Sequence, residues 1–236
     1  MSAAVEVAKP RKWGRRIAKF ALYAVLSAVA AYVVAGWIWR FSGSNQWEFM
    51  EEKNGVKVYS LKSPGSDSLQ VKGVMRMRTT LAGLVAFMQD PTVCDDVGCT
   101  HSRMFERVDD QVQYYTFRYD FPLWFKPRDF VVKGQFHQNP KTREVVLEFD
   151  AEPDKLPLQD CCFRIADMNN TWRFIPLGNG EVEVQYTMNM DEGGFLPHLL
   201  LNNVRPGVMT GLMPELPRLV DKPKYQTAKF DFIVEK

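Results

Sequence analysis

Histidine and cysteine are scarce in this chain of 236 residues, three of the first and four of the second, and their spacing excludes the common metal sites. His101, His137 and His198 stand isolated in sequence, with no HxxxH or CxxC arrangement to bring two ligands together. No GxSxG elbow, P-loop or GxGxxG run is present, so the local signatures of serine hydrolases, nucleoside triphosphatases and dinucleotide enzymes are missing. Asp191 and Glu192 are adjacent acids, but beside Gly193 and Gly194 at a strand end they are turn residues rather than a catalytic pair. The expectation is no catalytic residue, no metal and no cofactor.

Charge is also lacking as a guide to partners. The formal net charge is +2, and the basic residues gather at the front, where Lys9, Arg11, Lys12, Arg15, Arg16 and Lys19 precede any folded-domain pattern. Without that segment the remainder is mildly acidic, which argues against a nucleic-acid partner. Acids are absent between Glu6 and Glu48, and within that gap Phe20 to Trp39 is a run without any charge. At about 1.5 Å per residue, some 20 apolar residues match the roughly 30 Å hydrocarbon core of a bilayer. Trp13 and Tyr23 lie toward one end, Tyr32, Trp37 and Trp39 toward the other, as interfacial aromatic belts do. The basic cluster set against Arg40 alone places the N-terminus in the cytoplasm. A cleaved signal peptide is the competing reading, since Val34, Ala35 and Gly36 offer small residues to a peptidase; the length of the apolar run favours an uncleaved anchor.

The chain therefore divides into a basic segment (1–19), a transmembrane anchor (20–39), a short flexible spacer (40–46), a folded domain (47–224) and a tail (225–236) that is either an edge strand or frayed. The domain has 46% hydrophobic and 25% charged residues over the whole chain to draw on, an ordinary globular composition. Its first strands are WEFMEE and VKVYSLK, joined by Lys53-Asn54-Gly55, where Asn-Gly is a strong hairpin signal because both residues accept positive φ. A third strand comes after Ser63–Ser68. Thr79 and Thr80 are N-cap candidates for LAGLVAFMQD, whose Leu81, Leu84, Val85 and Met88 recur at helical spacing, with Pro91 ending it. Some 90 residues of strands come next, the last being Val182 to Met190. There apolar residues alternate with Glu183, Gln185, Thr187 and Asn189, the mark of a strand with one wet face. Asp191, Gly193 and Gly194 turn the chain into an apolar helix beginning near Leu196, with Pro197 in its first turn. A strand whose apolar face feeds straight into such a helix implies that the helix folds back as a lid. Strands and helices segregated in this way read as α+β. Pro206 is expected to kink or break the lid, with Pro214 and Pro217 loosening its second half.

WEFMEEKNGVKVYSLK, YDFPLWFKPRDFVV and TWRFIPLGNGEVEVQYTMNMDEGGFLPHLLLNN, in this order, resemble the steroidogenic-acute-regulatory-related lipid transfer (START) family, particularly its bacterial members. The likeness runs from about Trp47 to Val220, and its most specific parts are Arg128-Asp129-Phe130, Trp172 with Pro176, and Asp191–Gly194 followed by Pro197. The resemblance implies a helix-grip (START/SRPBCC-like) fold, a curved antiparallel sheet around a long C-terminal helix, preceded here by one transmembrane helix. It also implies a lipid-sized cavity between sheet and helix. Two departures stand out: Asp95–Gly98 occupies the short helix in which bacterial members often carry a tryptophan. Gly134 and Tyr115 hold the places of the base and acid of sterol-binding members.

Strand parity then names the cavity residues. If Lys133 and Gln135 face water, Phe130, Val132, Gly134 and Phe136 face inward, and the same choice gives Tyr115 and Phe117, Leu147 and Phe149, and Tyr186 and Met188. Trp172 and, on the helix, Leu200 join them. Arg118 or Arg164 would orient a headgroup, although Arg164 would equally pair with Asp150 or Asp167 at the surface. Plain core packing competes for each of these, because a sheet buries one face with or without a cavity. The loop holding Leu123, Trp124 and Phe125, flanked by Lys126 and Arg128, has the composition of a membrane-contact loop; folding its rings over the cavity mouth is the alternative, and either places it at the entrance.

Cys94 and Cys99 are five apart around Gly98, which lets the backbone bend enough for a disulfide, and an exported domain meets an oxidising compartment. Four buried thiols in a cytosolic protein would be the alternative. Cys161 and Cys162 are neighbours on an expected strand, point to opposite faces and make poor partners for each other. The functional expectation is a single-pass protein of the inner membrane with a periplasmic, non-enzymatic domain that binds or transfers a lipid or other hydrophobic small molecule. A polyketide cyclase or aromatase on the same fold, or a ligand sensor, is the alternative.

Overall fold

The expected hairpin forms where Asn-Gly stands: β1 (Trp47–Lys53) and β2 (Val56–Leu61) turn at Asn54 and Gly55, with φ of 55° and 78°. The computed structural model describes residues 12–121, 125–194, 196 and 198–235. The strands continue as β3 (Gln70–Arg78), β4 (Thr100–Arg107), β5 (Val112–Tyr119), β6 (Arg128–Gln138), β7 (Val145–Ala151), β8 (Phe163–Arg164), β9 (Asp167–Gly178), β10 (Glu181–Met188) and β11 (Met190–Asp191). Their spatial order is β1-β2-β3-β10-β9-β7-β6-β5-β4, antiparallel throughout, with the short β8 parallel to β6 and β11 paired with β9.

β10 is thus interior, paired with β3 on one side and β9 on the other. The expected alternation holds: Val182, Val184, Tyr186 and Met188 are buried and the residues between them are not. From the end of this strand the chain passes through 191–197 into α4 (His198–Leu212). Helix α4 lies on β2 and β3, where a Cβ on Gly73 would come within 3.3 Å of the Met209 sulfur and collide with that of Met213, just past the helix end. Glycine at that position lets helix and sheet approach.

Pro206 does not interrupt the lid. It sits inside α4, and the break comes at Met213–Glu215, a 3₁₀ turn containing Pro214, before α5 (Leu216–Val220). A proline costs the helix one backbone bond, and the core contact of Met209 and Met213, both fully buried, offsets that cost. The tail is neither an edge strand nor frayed. Tyr225 in α6 (Pro223–Gln226) and Ile233 are buried, Val234 exchanges two hydrogen bonds with the Gln138 side chain, and Glu235 accepts from the Leu81 and Ala82 amides. Those amides open α2 (Leu81–Gln89), which Thr80 also caps through a bond to Gly83. A carboxylate from the far end of the chain therefore satisfies donors that a helix start leaves unpaired.

Helix α1 (Lys12–Phe41) extends the expected anchor by a turn or more at its start and by two residues at its end. Apart from Trp39, which is half-buried against the domain, its large apolar side chains are exposed, and by length and composition it is a candidate membrane span. The spacer after it is tied down rather than free. Trp39 donates to the Asp67 carbonyl at 2.9 Å, Arg40 pairs with the Asp67 carboxylate at 3.1 Å, and the Lys62 ammonium donates to the carbonyls of Arg40, Ser42, Ser63 and Ser66. Burial pulls the Lys62 pKa down, against the raising effect of Asp67. A cation at the end of a helix meets carbonyls that have no partner within it.

Candidate functional site

The inner face of the sheet carries two groups of packed side chains. One lies under α4 and α5 and includes Leu147, Trp172, Phe174, Tyr186 and Met188. The other, toward the β5–β6 side, gathers Tyr115, Phe130, Val132, Ile165 and Met168, with Phe117, Tyr119 and Phe149 packed against it but only half-buried. Phe149 and Met190 touch both groups. The rings meet as the strand register dictates: Trp172 stacks on its β10 partner Tyr186 at 4.1 Å, and Phe117 on its β6 partner Phe130 at 4.7 Å. Among the expected residues, parity therefore brings Tyr115, Phe117, Phe130, Val132, Leu147, Phe149, Trp172, Tyr186 and Met188 onto one face.

Few polar groups interrupt this face. Tyr115 bonds Gln113, and Asn170 donates to the Tyr186 hydroxyl at 3.2 Å while accepting from the Asn189 amide. Burial pushes both phenols up, so neither ionises near neutrality. Gly134 explains the close ring packing, because a Cβ there would lie 3.0 Å from Phe149 and 3.2 Å from Tyr115. The rings occupy the room that a longer side chain would need.

At one end of the face two arginines hold the turn that precedes α4. Arg128, the first residue of the Arg-Asp-Phe motif, donates to the carbonyls of Glu192 at 2.9 Å, Gly193 at 3.0 Å and Lys126 at 2.6 Å, and lies over the rings of Phe121 and Phe163. Burial lowers its pKa and Glu192 partly restores it. Arg205 on α4 pairs with the Glu192 carboxylate and donates to the carbonyls of Leu69 and Met190. Glu192 is more than the turn residue expected. Asp191 alone plays that part, accepting from the Gly193 amide. Arg205 and Glu192 lie 13 residues apart, so no periodicity in the sequence announces the pair; the sole signal is an arginine on a largely apolar helix.

Three expected site residues lie elsewhere. Arg118 projects with its register partner Asp129, away from the face that carries Phe117 and Phe130. Arg164 is on the opposite face of the sheet, where it pairs with Asp129 at 2.8 Å and donates to the carbonyls of Pro153, Leu156 and Pro157. It follows the parity of Asp129, its register partner, rather than that of Phe130, and neither Asp150 nor Asp167 is its partner. Leu200 is 64% exposed, with Val204 at 60% and Val208 at 43%, because these positions recur every four residues on the side of α4 away from the sheet. Of the expected membrane-contact loop, Leu123 and Trp124 lie outside the described residues, and Phe125 is half-buried.

Cys94 and Cys99 are bonded, with the αL residue Gly98 between them. Cys161 and Cys162 are also bonded to each other. The expected divergence of these neighbours fails because they stand in a turn before β8, where strand alternation does not apply. Among the described residues no cluster of His, Cys, Asp or Glu is placed to hold a metal.

No family model matches the chain. An uncharacterized protein of Pseudomonas aeruginosa is 25% identical over 180 residues, 75% of this chain and 85% of that one. Among solved structures, a STAR-related lipid transfer protein fragment from Xanthomonas axonopodis superposes with a TM-score of 0.69 at 22% identity, covering 75% of this chain and 99% of that one. Human StAR-related lipid transfer protein 5 gives 0.63 at 18% identity over 84% of this chain and 97% of its own, and human STARD10 gives 0.68 at 13% over 78% and 76%. The described domain therefore has the STAR-related lipid transfer fold, a curved antiparallel sheet closed by a C-terminal helix, with one candidate membrane span ahead of it.

Proposed function

We propose that this is a membrane-tethered, non-enzymatic domain that holds one lipid between the sheet and α4. The observation that carries the reading is the incomplete cover of the inner face: α4 packs over β2 and β3, while Phe117, Tyr119 and Phe149 toward the β5 side stay half-buried. A largely apolar site with a few placed hydroxyl and amide groups is what a lipid body requires, and Tyr115, Tyr186 and Asn170 supply those groups. Phe117, Phe130, Val132, Leu147, Phe149, Trp172 and Met188 would form its walls.

The membrane supplies and receives the ligand in this reading. Helix α1 keeps the domain at the bilayer, with the basic N-terminal segment on the cytoplasmic side and the domain across it, in the periplasm of a double-membraned cell. The segment holding Leu123, Trp124 and Phe125 would touch the headgroups beside the entrance. Organic extraction of the purified full-length protein, followed by mass spectrometry against a mock purification, tests this. One lipid class near one equivalent is expected, and Leu147→Trp should reduce it in a folded protein, at a cost of about 1 to 3 kcal/mol from overpacking. No lipid above the mock level would refute the reading.

A further inference from the structure

The outer face of the sheet, opposite the proposed lipid site, holds a cleft of about 330 Å³ roofed by the segment between β7 and β8. Its charge is one-sided. Arg103, Arg118 and Arg164 line it against a single carboxylate, Asp129, leaving two positive charges uncompensated among the lining residues. Like charges gathered in one cleft repel one another, so each arginine must be accounted for.

Arg164 is the structural member, spending its donors on Asp129 and three carbonyls of the roof. Arg118 is partly committed, with Nε 3.4 Å from Asp129 and Nη2 2.6 Å from the Gln159 side-chain oxygen. Arg103 is exposed, and its guanidinium makes no hydrogen bond or ion pair to any described residue. It stands opposite Thr116 in the β4–β5 register, so both project to the same side as Arg118. The register slips between Thr100 and Arg103, and His101 within the slip has φ of 54°. Such a bulge re-aims side chains and costs backbone energy in a non-glycine residue. Here it brings Ser102 and Arg103 to the cleft.

We propose that this cleft binds a phosphate-bearing anion, held by Arg103 and Arg118 with the hydroxyls of Ser102 and Thr116, independently of any lipid on the inner face. Guanidinium groups from two strands and hydroxyls between them suit a tetrahedral oxyanion with several acceptor oxygens, more than a planar carboxylate that one guanidinium can satisfy. The phosphate belongs either to a soluble molecule or to the headgroup of a neighbouring membrane lipid.

Full-length protein in phosphatidylcholine nanodiscs, titrated calorimetrically with inorganic phosphate at constant ionic strength, tests the site. Saturable binding is expected, weakened about tenfold or more by Arg103→Glu and measurably by Thr116→Val, which changes no charge. Both variants should keep the parent melting temperature, since neither side chain has a partner to lose among the described residues. A second arm uses discs in which one lipid in five is phosphatidylglycerol. Unchanged phosphate binding there assigns the site to a soluble ligand, and its loss through competition assigns it to a headgroup. Absence of saturable binding in phosphatidylcholine discs, or full binding by Arg103→Glu, overturns the proposal.

Discussion

Glu192 and Arg205 form a buried two-point ion pair across the turn between β11 and α4, with Nη2 2.5 Å from Oε2 and Nε 3.2 Å from Oε1. The same guanidinium reaches the Leu69 carbonyl at 2.5 Å and the Met190 carbonyl at 2.8 Å. One side chain thus joins the lid, the end of the sheet and the segment that leads back to α1. Asn202, one helical turn earlier, bonds the Leu69 amide and the Asp67 carbonyl. The lid is fastened at its base to the residues that grip the end of the candidate span.

Glu192→Gln should therefore destabilise the folded domain by about 3 to 5 kcal/mol, because it leaves a buried guanidinium without its counter-charge. Chemical denaturation of the detergent-solubilised protein measures this. The double variant Glu192→Gln, Arg205→Met should be less unstable than the sum of the single changes, since the charge is removed with its partner. Additive losses would mean that the two groups are not coupled.

Asp90 predicts a pH dependence. Burial alone would raise its carboxyl, but hydrogen bonds from Lys224, Thr92 and Tyr225 outweigh this and hold it at about 2. An unfolded aspartate titrates at about 3.9. Between these values the unfolded chain binds the proton more readily, so this contribution is present above about pH 4 and is lost as pH falls toward about 2. Unfolding curves at stepped pH should show a shallower decline over that window for Asp90→Asn. An unaltered slope would place the acid sensitivity on other carboxylates.

Leu200, Val204 and Val208 form an exposed apolar stripe along the outer side of the lid. Changing all three to glutamine should slow lipid exchange with vesicles while shifting stability by less than about 0.5 kcal/mol per site, as surface substitutions do. A large loss of stability would show that this stripe is packed in the protein's working state.

With Cys94 bonded to Cys99 and Cys161 to Cys162, protein purified from its native compartment and unfolded without reductant should expose no free thiol. Two labelled thiols at Cys161 and Cys162 would show that only the loop around Gly98 closes. Four would place the domain in a reducing compartment. Reduction of the Cys94–Cys99 bridge alone should cost about 2 kcal/mol at most, given the small loop it closes.

Much of this architecture comes from short-range pattern. Asn54-Gly55 sets the first hairpin, Thr80 starts α2, and alternation from Val182 to Met188 separates a buried face from a wet one, because each depends on residues within a few positions. The uncharged run from Phe20 to Trp39 is legible for the same reason. Pairing across distance is not. Glu235 caps a helix more than 150 residues earlier, and Arg205 finds Glu192 only because the turn at Gly193 and Gly194 folds α4 back over the sheet. Arg164 lies on the face opposite the one its composition suggested, since its parity is set by pairing with β6 and not by its own neighbours. Leu200 faces outward because the core contacts of Met209 and Met213 decide the rotation of α4. Local sequence decided which segments become strands and helices; only tertiary packing, which pairs faces and charges far apart in the chain, decided which residues those elements turn toward one another.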